Sequence, residues 1–458
     1  MRIGAEAPAR FGAIVVGGGP AGAGLLLAAR GAGLLDALLD QPLCIVERGT
    51  AVGAGELGSH AIRSDSNGDS FLRALEAPGT PLLSPAFETP AGREMLRQRG
   101  GPVPLATAAT FLAGAAEGLR AALAAAGRDP FLTGHEAVSA NVSGSGGWRV
   151  LCRGGDGRDI ALEAASLVLA TGADQRSERL EREVVAGRPL LPRFAGKVVQ
   201  SSEVLSRDGG AAIRARLAAL PFPKVAIVGA SHSAVACARL LLDAAPELGF
   251  GEGGVAVLHR QPLRLTYQNP AEALADGFGD FGPDDICARS GRVFPLAGFR
   301  NDARDLLRRA WNLGGCGPEP RLRLHRLAAG ADAEADRLLA EADLIVAAFG
   351  YRPRALPLFD AAGARIALRA ETGGPSAPLV DARSRVLDAE GVPVSGVYAI
   401  GLAAGYPLRG THGEASFQGQ ANGLSLWHGE VGAAIVRDLL AAGGAPASSD
   451  RRLAEQHA

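Results

Sequence analysis

Ile14-Val15-Val16-Gly17-Gly18-Gly19-Pro20-Ala21-Gly22 is an apolar, β-branched run that stops on a glycine-rich turn. It predicts a buried parallel strand, a tight turn and a helix. Gly17 ends the strand, Gly19 lets a pyrophosphate approach the backbone, and Gly22 permits close packing of the next helix. The N-terminal N–H groups of that helix then face the phosphates. Pro20 and Ala21 complete the turn. A second strand, Leu43-Cys44-Ile45-Val46, ends in Glu47, whose carboxylate is placed for the ribose hydroxyls, and Arg48 adjoins it as a further candidate contact. The distance from Gly17 to Glu47 exceeds the usual spacing of roughly twenty residues, because the helix is expected to run on through Leu34-Leu35-Asp36-Ala37-Leu38-Leu39.

A second fingerprint lies about two hundred residues on: Val225-Ala226-Ile227-Val228-Gly229-Ala230-Ser231-His232-Ser233-Ala234. Ser231 takes the place of the middle glycine and Ala234 that of the third. The strand after it, Val255-Ala256-Val257-Leu258, ends in His259-Arg260 where the first unit ends in an acid. A carboxylate there would repel a 2′-phosphate, whereas a guanidinium pairs with it. The pair of motifs therefore predicts FAD on Gly17, Gly19, Pro20, Ala21, Gly22, Glu47 and Arg48. NADPH falls to Gly229, Ser231, His232, Ser233 and Arg260.

The chain has 458 residues, 47% of them hydrophobic, and a formal charge of −1, with no block of like charge. Neither nucleic acid nor an anionic membrane is an expected partner. No apolar stretch approaches the roughly twenty residues that span a bilayer, so a cytoplasmic protein is expected, and a homo-oligomer stays open. Cys44, Cys152, Cys237, Cys287 and Cys316 are scattered with no CxxC spacing, which removes a redox-active dithiol. The histidines show no ligand spacing, and no metal site is predicted. Lys197 and Lys224 are the only lysines, so lysine catalysis is nearly excluded.

The expected plan is α/β, with two Rossmann-like dinucleotide-binding units nested as in glutathione reductase. Residues 1–185 form the first part of the FAD domain, 186–223 an inter-domain connection, and 224–352 the NADPH domain with an irregular insertion at 261–320. Residues 353–442 return to the FAD domain and 443–458 form a flexible tail. A long helix is expected over 106–125, a small meander after it, a strand ending in Ala170-Thr171-Gly172, and a terminal helix over 431–440. The aromatics of the insertion, among them Tyr267, Phe278, Phe294 and Trp311, either line a substrate cleft or pack the insertion itself.

With these motifs in place, the chain resembles the FAD- and NADPH-dependent flavoprotein monooxygenases with two dinucleotide-binding domains. It is most similar to the N-hydroxylating amine monooxygenases and the flavin-containing monooxygenases. Phe194-Ala195-Gly196-Lys197-Val198-Val199-Gln200-Ser201 resembles the linker signature Phe-x-Gly-x-x-x-His-Ser, with glutamine for histidine, and Ala348-Phe349-Gly350-Tyr351 resembles Ala-Thr-Gly-Tyr. Asp69-Ser70-Phe71-Leu72-Arg73 is similar to a Ser-Phe-Leu-Lys segment of the N-hydroxylating branch. Asn301 falls where that branch carries an asparagine near its substrate. The lysine that holds a substrate carboxylate there has no counterpart. Gly401 ends a late strand and Leu402 stands where many flavoproteins of this plan carry an aspartate for the flavin.

The resemblance implies reduction of FAD by NADPH, reaction with O2 to a C4a-(hydro)peroxyflavin, and oxygen transfer to a soft nucleophile, above all an amine nitrogen. His60, Arg63 and Asn301 are the candidate groups near flavin or substrate. Two other readings stay open. One is an NADPH-dependent flavoprotein reductase passing electrons to a ferredoxin or quinone. The other is a redox-silent nucleotide-binding scaffold.

Overall fold

The computed structural model describes residues 8–76, 84–144, 146–243, 247–372, 377–402, 404, 413–419 and 423–443. The part of the expected tail from 444 onward lies outside the described residues.

Two sheets organise the molecule. In the first, Ala9–Val16 runs parallel between Leu43–Glu47 and Asp159–Leu169. The meander His135–Val142 and Trp148–Gly154 adds antiparallel to Asp159–Leu169. The return segment contributes Pro393–Ala399, parallel to the same strand. Ile14, Val15, Ile45, Leu167 and Val168 are at most 1% exposed, as expected of parallel strands covered on both faces. Burial of each contributes roughly 1.5–3 kcal/mol.

The second sheet has five parallel strands among the described residues, in the order Val198–Gln200, Leu344–Ala347, Val225–Val228, Val255–His259 and Leu322–Arg326. Its edge strand, Val198–Gln200, lies inside the stretch expected to connect the domains. The helices after it, Ser201–Leu205 and Arg207–Ala218, place Val204, Leu205, Ile213 and Leu217 in the core of this second unit.

The helix expected to run unbroken from the first fingerprint is two helices, Gly24–Gly31 and Leu35–Asp40. Gly33 has φ +70°, Leu34 N–H donates to the Ala29 carbonyl, and Gly33 N–H donates to that of Arg30. This is a left-handed glycine cap, and it stops the helix with its last carbonyls satisfied. The long helix is Leu105–Ala125 and the terminal one Glu430–Gly443. The latter packs on Gly24–Gly31 so closely that a Cβ on Gly432 would meet the Ala28 Cβ at 2.6 Å.

The insertion aromatics mostly pack on one another. Tyr267, Phe278 and Phe294 are buried, and the Phe278 ring stacks 5.5 Å from Tyr267 and 6.3 Å from Trp311. Both lysines are structural: Lys197 Nζ donates to the carbonyls of Ala340 and Ala342, and Lys224 pairs with Glu341 at 2.9 Å. No helix among the described residues is long and apolar enough to cross a membrane.

Candidate cofactor and substrate site

The same backbone device recurs at both fingerprints. Gly17 has φ +106°, its N–H donates to the Val46 carbonyl, and a Cβ on it would overlap the Ala170 carbonyl oxygen. Gly229 has φ +145°, its N–H donates to the Leu258 carbonyl, and a Cβ on it would overlap the carbonyl oxygen of Ala348. In each unit the strand end is pressed against the alanine that precedes a second Gly-containing turn. Gly22 is equally constrained, since its Cβ would overlap the Gly17 carbonyl oxygen.

Gly19 differs. A Cβ there would meet nothing closer than Gly55 Cα at 3.4 Å. That is ordinary van der Waals contact, so an added methyl group there is not crowded by the protein. The N–H groups of Gly19, Ala21 and Gly22 have no partner among the described residues. Free amides beside an uncrowded glycine at a strand-to-helix turn fit the diphosphate of FAD. Glu47 is held in place by accepting from Gly18 N–H and Gly49 N–H, both at 2.8 Å. Arg48 pairs with Glu56, which Arg354 also holds at 2.8 Å. Burial works to raise the Glu56 carboxyl, but Arg354 and Arg48 outweigh it and hold it below the usual carboxylate range. Gly401, at φ +107°, brings the return strand against Ala21, and Leu402 beside it is exposed.

At the second fingerprint Ser231 acts as a cap. Its Oγ donates to the Ala348 carbonyl at 3.2 Å and accepts from Ala234 N–H at 3.3 Å. A glycine would leave both jobs undone. The amides of Ala230, Ser231, His232 and Ser233 are free among the described residues, which suits a second diphosphate. Arg260 is half-exposed and pairs with Glu183 at 2.7 Å, and it also donates to the Val184 carbonyl. A 2′-phosphate would share or displace that carboxylate.

Between the units lies a cavity of about 340 Å³ lined by Arg63, Asp65, His232, Arg239, Arg300 and Asp302 among others. Asp65 comes from the short strand Arg63–Asn67 of the first unit. His232 Nε2 lies 2.5 Å from its Oδ1, and Arg300 reaches its Oδ2 at 3.1 Å. Burial pushes the Asp65 carboxyl up, yet His232 and Arg300 together hold it below its ordinary value. Of the three expected substrate groups, Arg63 lines the cavity and approaches Asp302 at 3.5 Å. Asn301, at φ +47°, directs its side-chain amide to the Asp65 carbonyl at 2.9 Å and to Asn67 Oδ1 at 3.1 Å, so it ties the two units together. His60 stands apart from the lining. Its Nδ1 sits 3.1 Å from the Glu56 carbonyl, and its backbone bridges to Ser206. Among the described residues no group of three or more potential metal ligands converges.

A hydroxylase of CMP-5′-(3-aminopropyl)phosphonate from Streptomyces rubellomurinus is 30% identical over 446 residues, spanning 94% of this chain and 98% of that one. The chain belongs to the FAD- and NADPH-dependent flavoprotein monooxygenases of class B. As a member it is an oxidoreductase that uses both dinucleotides and O2, and the reductase reading is not favoured. Solved structures agree on the fold. An ornithine N-hydroxylase from Kutzneria sp. 744 superposes with a TM-score of 0.55 at 18% identity, covering 94% of this chain and 99% of that one. A cadaverine monooxygenase from Erwinia amylovora gives 0.54 at 14% identity, covering 94% of each. No family model matches the chain.

Two outcomes are expected. Gly19→Ala should fold with an unchanged melting temperature yet lose most bound flavin, whereas Gly22→Ala should lower the melting temperature of the flavin-free protein as well; flavin content and a thermal melt check both. Asp65→Asn leaves Arg300 without its counter-charge and His232 without its carboxylate partner and should destabilise the protein by about 1–2 kcal/mol, modest because a third of the side chain meets water. Asp65 is held below its unfolded value, so its contribution is present above about pH 4 and lost as pH falls further. The gap in melting temperature between wild type and Asp65→Asn should therefore close in acid.

Proposed function

We propose that this enzyme N-hydroxylates a primary alkyl amine carried on an anionic phosphonate or phosphate-ester scaffold, in the cytoplasm. The observation that carries the reading is the near end-to-end match to the aminopropylphosphonate hydroxylase. The cavity between the units supports it, because Arg63, Arg239 and Arg300 offer guanidinium groups for an anion and Asp65 and Asp302 offer carboxylates for an ammonium. The segments 1–185 and 353–442 serve as the FAD domain and 224–352 as the NADPH domain, with 186–223 between them.

FAD, bound on the first fingerprint, supplies the activation of O2. One oxygen atom enters the new N–O bond and the other leaves as water, with a hydride from NADPH and a proton completing the balance. The chain's part is placement. Gly19, Ala21 and Gly22 present amides to one diphosphate and the turn 230–233 presents amides to the other. Arg260 takes the 2′-phosphate and Glu47 the ribose. Ile62 and Leu205, which also line the cavity, keep water from its wall. Arg63 orients the substrate, and Asn301 and His60 hold the loop that carries it.

Purified enzyme with NADPH and O2 should convert 3-aminopropylphosphonate or its CMP conjugate to a product heavier by one oxygen, while ornithine and cadaverine give NADPH oxidation with little product. NADPH consumption that no amine converts to product would overturn the reading. An Arg–phosphate contact contributes roughly 1.5–3 kcal/mol. Arg260→Ala should accordingly raise the KM for NADPH about tenfold or more and leave NADH nearly unchanged. Equal losses with both cofactors would show that Arg260 serves only its pair with Glu183.

A further inference from the structure

His428 follows the short helix Leu424–Trp427 and is 5% exposed. Its ring lies on the first turn of the fingerprint helix, where a Cβ on Gly24 would overlap it. Its Nε2 sits 2.8 Å from the Pro20 carbonyl oxygen. That oxygen can only accept, so Nε2 carries the proton and Nδ1 is left as a bare acceptor. Among the described residues Nδ1 has no hydrogen-bond partner, although it is buried. The small cavity beside it, about 20 Å³, is walled by apolar groups such as Leu27, Leu112 and Phe131, so a water there would lack the partners it needs. Burial pushes the imidazole down to about 4, so the ring is neutral at ordinary pH.

Leaving Nδ1 a bare buried acceptor carries a cost. The return lies in Pro20. In the turn that precedes the helix, Ala23 N–H donates to the Gly19 carbonyl. The next bond of that series would run from Gly24 N–H to Pro20, and it is not made. No backbone amide among the described residues donates to the Pro20 carbonyl. His428 satisfies it from behind the loop instead. A carbonyl free to turn toward the unpartnered amides of Gly19, Ala21 and Gly22 would present negative charge to a diphosphate bound there.

We propose that His428 is a positioning residue for the diphosphate loop: its Nε2–H holds the Pro20 carbonyl away from the phosphates so that the amides of Gly19, Ala21 and Gly22 stay open to FAD. The proposal rests on the assignment of FAD to the first fingerprint. It makes the C-terminal part of the chain, more than four hundred residues from Pro20, a component of the flavin site without touching flavin.

The test is FAD affinity, measured by quenching of flavin fluorescence as the deflavinated full-length protein is titrated. The melting temperature of the flavin-free protein and the affinity for NADP+ are measured alongside. A glutamine places an amide N–H near the position of His Nε2, whereas asparagine is too short and leucine has no donor. His428→Gln should bind FAD within about threefold of wild type, and His428→Asn and His428→Leu should lose about tenfold or more, as a single lost hydrogen bond of about 1.4 kcal/mol implies. NADP+ affinity should be unchanged in all three. If His428→Leu binds FAD as wild type does, the proposal fails. It fails too if all three variants lose FAD in step with a fall in melting temperature, since His428 would then be packing alone. Gly19→Ala separates the underlying assignment: normal FAD affinity in that variant would refute the first fingerprint as the flavin site, whatever His428 does.

Discussion

Everything in this molecule hangs on a backbone-to-backbone contact made twice. The first glycine of each fingerprint is pressed on the carbonyl of an alanine at the end of a neighbouring parallel strand, Ala170 in one unit and Ala348 in the other. No side chain fits between them. The strand must therefore end there, and the chain must turn with a positive φ that L-residues rarely adopt. The helix that follows begins with its amides free. The same packing of two strands and a turn that forces the positive φ also leaves the amides of Gly19, Ala21 and Gly22 without partners among the described residues.

Between the units the governing force is electrostatic. Asp65 on the short strand of the first unit receives His232 from the second fingerprint and Arg300 from the insertion, and Asn301 fastens the same strand by its backbone. The cavity is bounded by these charges, so its shape depends on how the two units sit together. His232, on the turn of the second fingerprint, is held by a carboxylate of the first unit.

The sequence made the glycine turns legible because their requirement is local: a β-branched run, a positive-φ residue and a helix, each written in adjacent letters. Ala170-Thr171-Gly172 and Ala348-Phe349-Gly350 were legible as strand ends, though their shared task of seating Gly17 and Gly229 was not. Val198-Val199-Gln200 carried no strand signal in three residues, and only its register with Ile345, Val346 and Ala347 makes it one. The break at Gly33 was missed because the apolar spacing of 34–39 continues the helical pattern in sequence while a left-handed cap redirects it in space. Asp65, within a candidate polar loop, could not be singled out, and His428 gave no signal. The first is one polar residue in a polar loop and the second one histidine near a helix, and each acquires its role from a partner more than 160 residues away.

The scarcity of lysine has a practical side. The ε-amino groups of Lys197 and Lys224 are the only ones in the chain, one bound to two carbonyls and the other to Glu341. Amine-selective reagents added to a reaction mixture meet a bounded protein background of two side chains per molecule. The fate of substrate nitrogen can be followed with the enzyme still in the tube.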